Sequence, residues 1–101
     1  MKNTYQELEL LNGEKVKLTL NFARLLKVKS DNPQLYDRFM KVLQNKDYDI
    51  VFDSLTVVYI AYLCANIGEE TLTEDELSEL IPFDLELINT IAGRLIQSKK
   101  K

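Results

Sequence analysis

The stretch that decides the fold is IVFDSLTVVYIAYLCANI, residues 50–67, in which fourteen of eighteen side chains are hydrophobic. We expect a helix that begins near Asp49 and ends at Gly68, because glycine suits the left-handed position beyond a helix C-terminus. Apolar residues surround its axis, so other elements or a partner must cover it. A bilayer span needs about 20 apolar residues. This stretch is shorter and contains Asp53, which favours a buried core helix.

Two helices are predicted after this central one. Residues 73–76, TEDE, form a capping box in which Thr73 is the N-cap and Glu76 reaches back to it. Pro82 ends that short helix, and the last helix begins near Phe83. Six apolar residues of the last helix lie on one face, namely Leu85, Ile88, Ile91, Ala92, Leu95 and Ile96.

Two amphipathic helices are predicted before the central one. Asn21 is the expected N-cap of the first, which is marked by Phe22, Leu25 and Leu26. Asn32 caps the second, and Pro33 takes its first position. The second helix has an apolar stripe of Leu35, Tyr36, Phe39, Met40 and Leu43. The polar residues 44–48 are expected to form a loop.

The N-terminal residues alternate in polarity around Asn12 and Gly13, which indicates a β-hairpin. A two-residue turn would place apolar side chains opposite charged ones. A three-residue loop with Gly13 in the left-handed conformation instead pairs Leu8 with Val16. The apolar face then also contains Leu10, Leu18 and Leu20.

The predicted fold is mainly α (α+β), with an N-terminal β-hairpin followed by about five helices around an apolar central helix. We expect a single domain over residues 1–101, with the hairpin at 1–20, a helical body at 21–98 and a basic tail at 99–101. Because an isolated hairpin is marginally stable, its apolar face must lie on the helices. Its edges stay open or pair with another chain.

Composition excludes several kinds of chemistry. The 101 residues include no histidine and one cysteine, which excludes His-based triads, His-based zinc sites and an internal disulfide. Three glycines leave no phosphate-binding loop. The net charge of −3 disfavours nucleic-acid binding. We therefore expect no enzymatic activity, no cofactor, no metal and no membrane span. With no signal peptide and a lone thiol, a reducing cytoplasm is the expected compartment.

Four features each have a structural explanation beside a functional one. The acidic residues 69–79 could suggest calcium, but an EF-hand loop started at Glu69 would put Glu74 where its glycine belongs. Solvated acids at a helix start explain them better. Asp53 is interpreted as a first-turn helix residue, and Cys64 as a core residue. A modest basic group beside the hairpin is interpreted as a solvated face.

The chain resembles the tail assembly chaperones of long-tailed phages and prophages of Gram-positive bacteria. The resemblance extends from about Glu14 to Ile96. Its residues are GEKVKLTLNFARLLKVKSDNPQLYDRFMKVL at 13–43, FDSLTVVYIAYLCAN at 52–66 and LTEDELSELIP at 72–82. None of these segments is a catalytic motif, so the match is one of overall pattern.

The resemblance implies a function and partners. Such chaperones are mainly helical, self-associating proteins of the host cytoplasm that are absent from the mature virion. They bind the apolar, helical tape-measure protein and keep it soluble during tail assembly. Many also occur in a longer, frameshifted form that recruits the tail-tube protein. Because this chain ends at Lys101, the short form is expected here.

We expect the partner or a second copy to contact the apolar helix surface around Tyr59 and Tyr62 and the hairpin residues Leu8, Leu10, Val16 and Leu18. Tyrosines favour interfaces, although core packing with a bonded hydroxyl is the alternative. On the interface hypothesis, Tyr62→Asp would abolish partner solubilisation and leave the fold intact. The alternative function is a small cytoplasmic regulatory or adaptor protein that binds another protein or, with less support, DNA.

Overall fold

The computed structural model of the chain describes residues 5–44, 49 and 51–97. Within these residues, two strands are followed by five helices. They are β1 Gln6–Glu9, β2 Lys15–Leu18, α1 Phe22–Asp31, α2 Pro33–Gln44, α3 Phe52–Ala65, α4 Glu74–Leu80 and α5 Leu85–Gln97. The predicted mainly helical fold with an N-terminal hairpin is confirmed.

The hairpin has the predicted register. Its strands pair antiparallel with Leu8 opposite Val16. Gly13 has a φ of 91°, and its N–H donates to the Leu10 carbonyl at 2.9 Å. Leu8, Leu10 and Leu18 are buried, so the apolar face of the hairpin packs against the helices as expected.

Asparagine side chains begin the first two helices. The Asn21 Oδ1 atom accepts from the Arg24 N–H at 2.9 Å, and the Asn32 Oδ1 atom accepts from the Leu35 N–H at 3.2 Å. Pro33 occupies the first position of α2, where a missing N–H leaves no helical hydrogen bond unmade. Both predicted caps are confirmed.

Side-chain caps also begin the last two helices. The Thr73 Oγ1 atom accepts from the Glu76 N–H at 3.2 Å, and the Glu76 carboxylate accepts from the Thr73 N–H at 2.9 Å, which confirms the capping box. Helix α5 begins two residues after the predicted Phe83. The reason is that the Asp84 carboxylate accepts from the Leu87 N–H at 3.1 Å and caps the helix there.

Helix α3 is the centre of the fold. Ten of its fourteen residues are buried, and it packs against β2 and all four other helices. The Thr19 N–H donates to the Ala61 carbonyl at 3.2 Å, and Arg24 Nη1 donates to the Cys64 carbonyl at 2.8 Å. The chain's own elements therefore enclose the apolar helix, which was one of the two predicted ways of covering it. No helix in the described ranges has the length and apolarity needed to cross a bilayer.

The C-terminus of α3 differs from the prediction. The helix ends at Ala65 and not at Gly68. The Asn66 N–H donates to the Leu63 carbonyl at 3.2 Å, while its side-chain amide donates to the Tyr62 carbonyl at 2.8 Å. These bonds satisfy carbonyls that would otherwise continue the helix. Gly68 has the expected positive φ of 85°, but it lies in the turn that follows.

The predicted beginning of α3 agrees with its hydrogen bonds. The regular helix begins at Phe52. The Asp49 carboxylate accepts from the Phe52 N–H at 2.9 Å, so Asp49 caps this helix. Gln44, predicted as the start of a loop, is the last residue of α2. Residues 45–48 of that loop and the basic tail 99–101 lie outside the described residues.

Candidate functional site

The two tyrosines expected at an interface are core residues. Tyr59 is 8% exposed and Tyr62 is 5% exposed, and their ring centroids lie 6.0 Å apart. The Tyr59 hydroxyl donates to the Leu72 carbonyl at 3.0 Å, and the Tyr62 hydroxyl accepts from the Leu72 N–H at 2.9 Å. The expected apolar surface around these tyrosines is therefore not open. Their rings fill the core and their hydroxyls hold the segment that leads into α4.

The hairpin candidates are also used within the chain. Leu8, Leu10 and Leu18 are buried, and Val16 is partly buried against the same core. The Leu11 N–H donates to the Leu80 carbonyl at 2.7 Å, which ties the hairpin loop to α4. In the folded chain these four side chains support the helices and do not present a binding face.

An apolar groove lies on another side of the molecule, between α1, α2 and the end of α5. Its volume is about 160 Å³, and its lining consists of Leu20, Phe22, Leu25, Phe39, Leu43 and Ile96. Leu20 and Phe39 are buried and form the floor, whereas Phe22 is 82% exposed and Leu43 is 45% exposed at the rim. An engineered apolar cavity of about 150 Å³ binds benzene, so the groove has room for one large apolar side chain. We call it the α1–α2 groove.

The α1–α2 groove continues into an exposed apolar surface. Leu26 follows Phe22 by one helical turn and is also exposed, and residues four apart share one face of a helix. The Asn21 cap fixes where α1 starts. Val28 is the residue of α1 that is fully buried. The groove can therefore contact more than a single side chain.

Charge is distributed unevenly between two parts of the fold. Helices α1 and α2, which supply four of the six groove residues, contain five Lys or Arg residues and two Asp residues. Residues 74–86 contain six Asp or Glu residues and no basic residue. The acidic stretch spans α4 and the start of α5, and the Arg38–Glu74 ion pair joins it to α2.

The acidic stretch also exposes an aromatic ring. Phe83 is 89% exposed and lies in the connection between α4 and α5. Beside it is a smaller depression of about 80 Å³ whose walls include Val51, Leu55 and Ile88. Phe83 is thus the most exposed large apolar side chain among those described, and its chain neighbour Asp84 is acidic.

The remaining polar candidates have structural roles. Glu74 pairs with Arg38, and Glu76 belongs to the capping box. The buried Asp53 carboxylate accepts from the Asp49 N–H at 2.9 Å, as befits the predicted first-turn residue, and Cys64 is buried in the core. The described part of the chain contains no group of three or more carboxylate or thiol side chains placed to hold a metal ion.

The sequence contained partial signals for the groove and for Phe83. The sequence groups Phe22, Leu25 and Leu26 as the apolar residues of α1. In the structure Phe22 and Leu26 are exposed, and the buried residue of this helix is Val28. Phe83 was assigned to the last helix, but it stands between Pro82 and a capping aspartate, and both residue types favour a connection. Neither signal shows by itself which side chains remain exposed.

No family model, curated protein or solved structure matches this chain.

Proposed function

We propose that this protein is a non-catalytic phage tail assembly chaperone that binds the tape-measure protein and keeps it soluble. The observation that carries the proposal is the α1–α2 groove, whose floor is apolar and whose rim exposes Phe22 and Leu43. A protein that shields another protein's apolar helix needs such a surface.

The shape of the groove suits an amphipathic helix as the bound element. Helix-in-groove recognition inserts large apolar side chains spaced by three or four residues into a hydrophobic cleft. The cleft of about 160 Å³ takes one such side chain, and Leu26 offers a second apolar contact one turn along α1. The partner helix would cover the exposed parts of Phe22 and Leu43, which removes apolar area from water.

The resemblance to tail assembly chaperones supports the tape-measure protein as the proposed partner. Tape-measure proteins are long, helical and apolar, so they present many segments that could fill the α1–α2 groove. The proposal assigns the chain to the host cytoplasm during assembly and not to the mature virion. A longer form would bring in the tail-tube protein.

The test is co-expression with the tape-measure protein of the same genome, with the soluble fraction of that protein as the readout. We expect a soluble complex with the natural chain. Phe22→Asp places a charge at the groove rim and should reduce the soluble fraction strongly. The matched control is Leu11→Asp, because Leu11 is exposed on the hairpin loop outside the groove. This variant should leave the soluble fraction of the tape-measure protein unchanged.

Two outcomes would contradict the proposal. If the tape-measure protein stays insoluble beside a folded chain, the adaptor function becomes the better explanation, and a pull-down would identify the protein bound. If Phe22→Asp and Leu11→Asp support solubility equally, the binding surface lies outside the α1–α2 groove.

A further inference from the structure

The outer edge of β1 is open along the part of the chain that the structure describes. The sheet there consists of β1 and β2, so no described strand pairs with the side of β1 that faces away from β2. A free strand edge presents main-chain N–H and C=O groups that can pair with another chain. The other edge of the sheet differs, because β2 packs against α3 and the Thr19 N–H donates to the Ala61 carbonyl.

The hairpin geometry shows which main-chain groups lie on the open edge. The Leu10 N–H donates to the Glu14 carbonyl at 2.7 Å, so Leu10 points its main-chain groups toward the other strand. Hydrogen-bonded and non-hydrogen-bonded residues alternate along an antiparallel ladder. The N–H and C=O groups of Glu7 and Glu9 therefore point outward, away from β2.

The outward series ends at the hairpin loop. Leu11 continues it, and the Leu11 N–H already donates to the Leu80 carbonyl at 2.7 Å. This bond within the chain agrees with the outward direction of the odd-numbered residues and closes the edge on that side. The groups of Glu7 and Glu9 remain, so a strand added here would be short, about five residues long.

A depression of about 460 Å³ lies beside this edge, between β1 and α5. Its apolar wall includes Pro82, Leu87 and Ile91, of which Leu87 is 39% exposed. The lining also contains Glu7 and Glu9 and, among the described residues, no lysine or arginine. Side chains of a strand alternate between the two faces of its sheet. An added strand would therefore place every second side chain over the apolar wall and the others beside the two carboxylates.

Strand β2 shows which residues suit β1 as a neighbour. Lys15 lies opposite Glu9 and Lys17 lies opposite Glu7, and apolar residues alternate with these lysines. Both carboxylates can still take a cation on their outer side, since the one ion pair among the described residues joins α2 and α4. The Lys17 ammonium instead lies over the Tyr5 ring, 5.4 Å from its centroid. A strand on the outer edge with the same alternation would face the same two glutamates.

We infer that the outer edge of β1 binds an extended peptide in which basic and apolar residues alternate, as a third, antiparallel strand. Its basic side chains lie opposite Glu7 and Glu9, because opposite charges on neighbouring strands stabilise a pair. Its apolar side chains cover Leu87. Main-chain hydrogen bonds give this kind of strand addition its affinity, and the alternate side chains give it specificity. The inference goes beyond the proposed function, since it concerns a strand edge and not the α1–α2 groove.

The test is the binding of a fluorescent, end-blocked peptide of about six residues that alternates lysine and leucine, measured by anisotropy with the purified protein. A peptide with glutamate in place of lysine should bind at least about tenfold more weakly, because like charges then face each other. Residues directly opposite Glu7 and Glu9 exchange hydrogen bonds with them, so the lysine N–H groups of the peptide point at β1 and the leucine N–H groups point away. N-methylation of the lysines should weaken binding at least about tenfold, whereas N-methylation of the leucines, the matched control, should change it by less than about twofold.

Variants of the protein test the same contact from the other side. Glu7→Gln combined with Glu9→Gln removes both charges and keeps the main chain, so peptide binding should weaken several-fold. Glu14→Gln is the control, because Glu14 is an exposed residue of the same hairpin outside the depression, and it should leave binding unchanged. Glu7→Pro removes an outward N–H without removing a hydrogen bond to β2 and should abolish binding. Circular dichroism should give native helix content for each variant.

Several results would overturn the inference. They are a lysine–leucine peptide that does not bind, equal binding of the two N-methylated peptides, and full binding by the variant that lacks both glutamates. A natural chain that dimerises and becomes monomeric with Glu7→Pro would show that a second copy occupies the edge, and the inference would then be wrong. The co-expression readout stays separate. Phe22→Asp should leave peptide binding unchanged, and the variant that lacks both glutamates should still keep the tape-measure protein soluble, so either proposal can fail without the other.

Discussion

The Arg38 guanidinium and the Glu74 carboxylate face each other through two parallel hydrogen bonds, of 3.0 Å from Nη1 to Oε1 and 2.6 Å from Nη2 to Oε2. Nη2 also donates to the Thr56 hydroxyl at 3.0 Å, so one side chain joins α2, α3 and α4. The hydrogen bond that Arg38 donates to Glu74 raises the pKa of Arg38, and the charge of the carboxylate raises it further, against the lowering effect of burial. This pair fixes the position of the acidic stretch relative to the groove helices.

We expect the Arg38–Glu74 pair to stabilise the fold by about 0.5–1 kcal/mol, because both side chains are about one-third exposed and solvent screens their attraction. Glu74→Gln removes the charge, and Arg38→Lys removes the two-pronged geometry. A double-mutant cycle from urea denaturation gives the coupling directly. Glu79→Gln, on the exposed side of the same helix, is the control and should change stability by less than about 0.5 kcal/mol. A coupling near zero would show that the pair does not hold α4.

Tyr62→Asp should unfold the protein instead of acting only on partner binding. The side chain is 5% exposed, and loss of a buried aromatic ring costs about 3–5 kcal/mol, with a further penalty for an unpaired buried charge. That loss is a large part of the stability of a domain of this size. Thermal denaturation followed by circular dichroism is the measurement.

Tyr62→Phe is the matched variant for this prediction. It keeps the ring and removes the hydroxyl that accepts from the Leu72 N–H. Because Leu72 is only partly buried, loss of this hydrogen bond should cost about 1 kcal/mol, so the variant should fold with reduced stability. A native melting curve for Tyr62→Asp would mean that the ring lies at the surface in solution.

Local features of the fold were predictable because they depend on short-range geometry. The hairpin register follows from Gly13 and from the alternation of apolar and polar residues around it. The helix caps are equally local, because each capping side chain accepts from an N–H three residues further along the chain, as Asn21, Asn32 and Thr73 do. The end of α3 was wrong by three residues, since Asn66 and Gly68 both favour a helix terminus and the sequence does not decide between them.

The candidate site was much less predictable than the fold. A helix that is apolar on every side does not indicate which residues a partner could reach, so Tyr59 and Tyr62 were assigned to a surface that the other helices cover. The exposure of Phe22 depends on where α1, α2 and α5 meet, and that arrangement involves residues far apart in sequence. Phe83 is exposed because Asp84 delays the start of α5.

Gly13→Ala and Gly93→Ala should change stability in opposite directions. An added Cβ meets nothing within 4 Å at either position, so the backbone conformation decides the outcome. Gly13 has a φ of 91°, which costs an alanine about 1 kcal/mol. Gly93 lies inside α5, where alanine is better than glycine by about 0.5–1 kcal/mol.

The two glycine variants are each other's control, and their melting temperatures are the measurement. For a domain of this size, about 1 kcal/mol corresponds to a shift of roughly 4–8 °C. We expect a lower melting temperature for Gly13→Ala and a higher one for Gly93→Ala. Equal shifts in the same direction would contradict the left-handed conformation of the hairpin loop.

Alkaline pH should destabilise the protein through Tyr59. Burial raises the pKa of its phenol above the ordinary value of 10.0, and the negative charge of Glu74 adds to the effect. The folded protein therefore holds this proton more tightly than the unfolded chain does. The stabilising contribution is complete below about pH 10 and is lost as the pH rises from the unfolded pKa through the folded one, by at most about 1.4 kcal/mol per pH unit.

Urea denaturation of the natural chain and of Tyr59→Phe at several pH values between about 8 and 11 tests this prediction. The variant loses the hydrogen bond to the Leu72 carbonyl and should be less stable at neutral pH by about 1 kcal/mol. Its stability should fall less steeply above about pH 10, because it has no phenol at this position to ionise. Parallel curves for the two proteins would mean that Tyr59 ionises equally in the folded and unfolded states, and that its phenol is solvated in the fold.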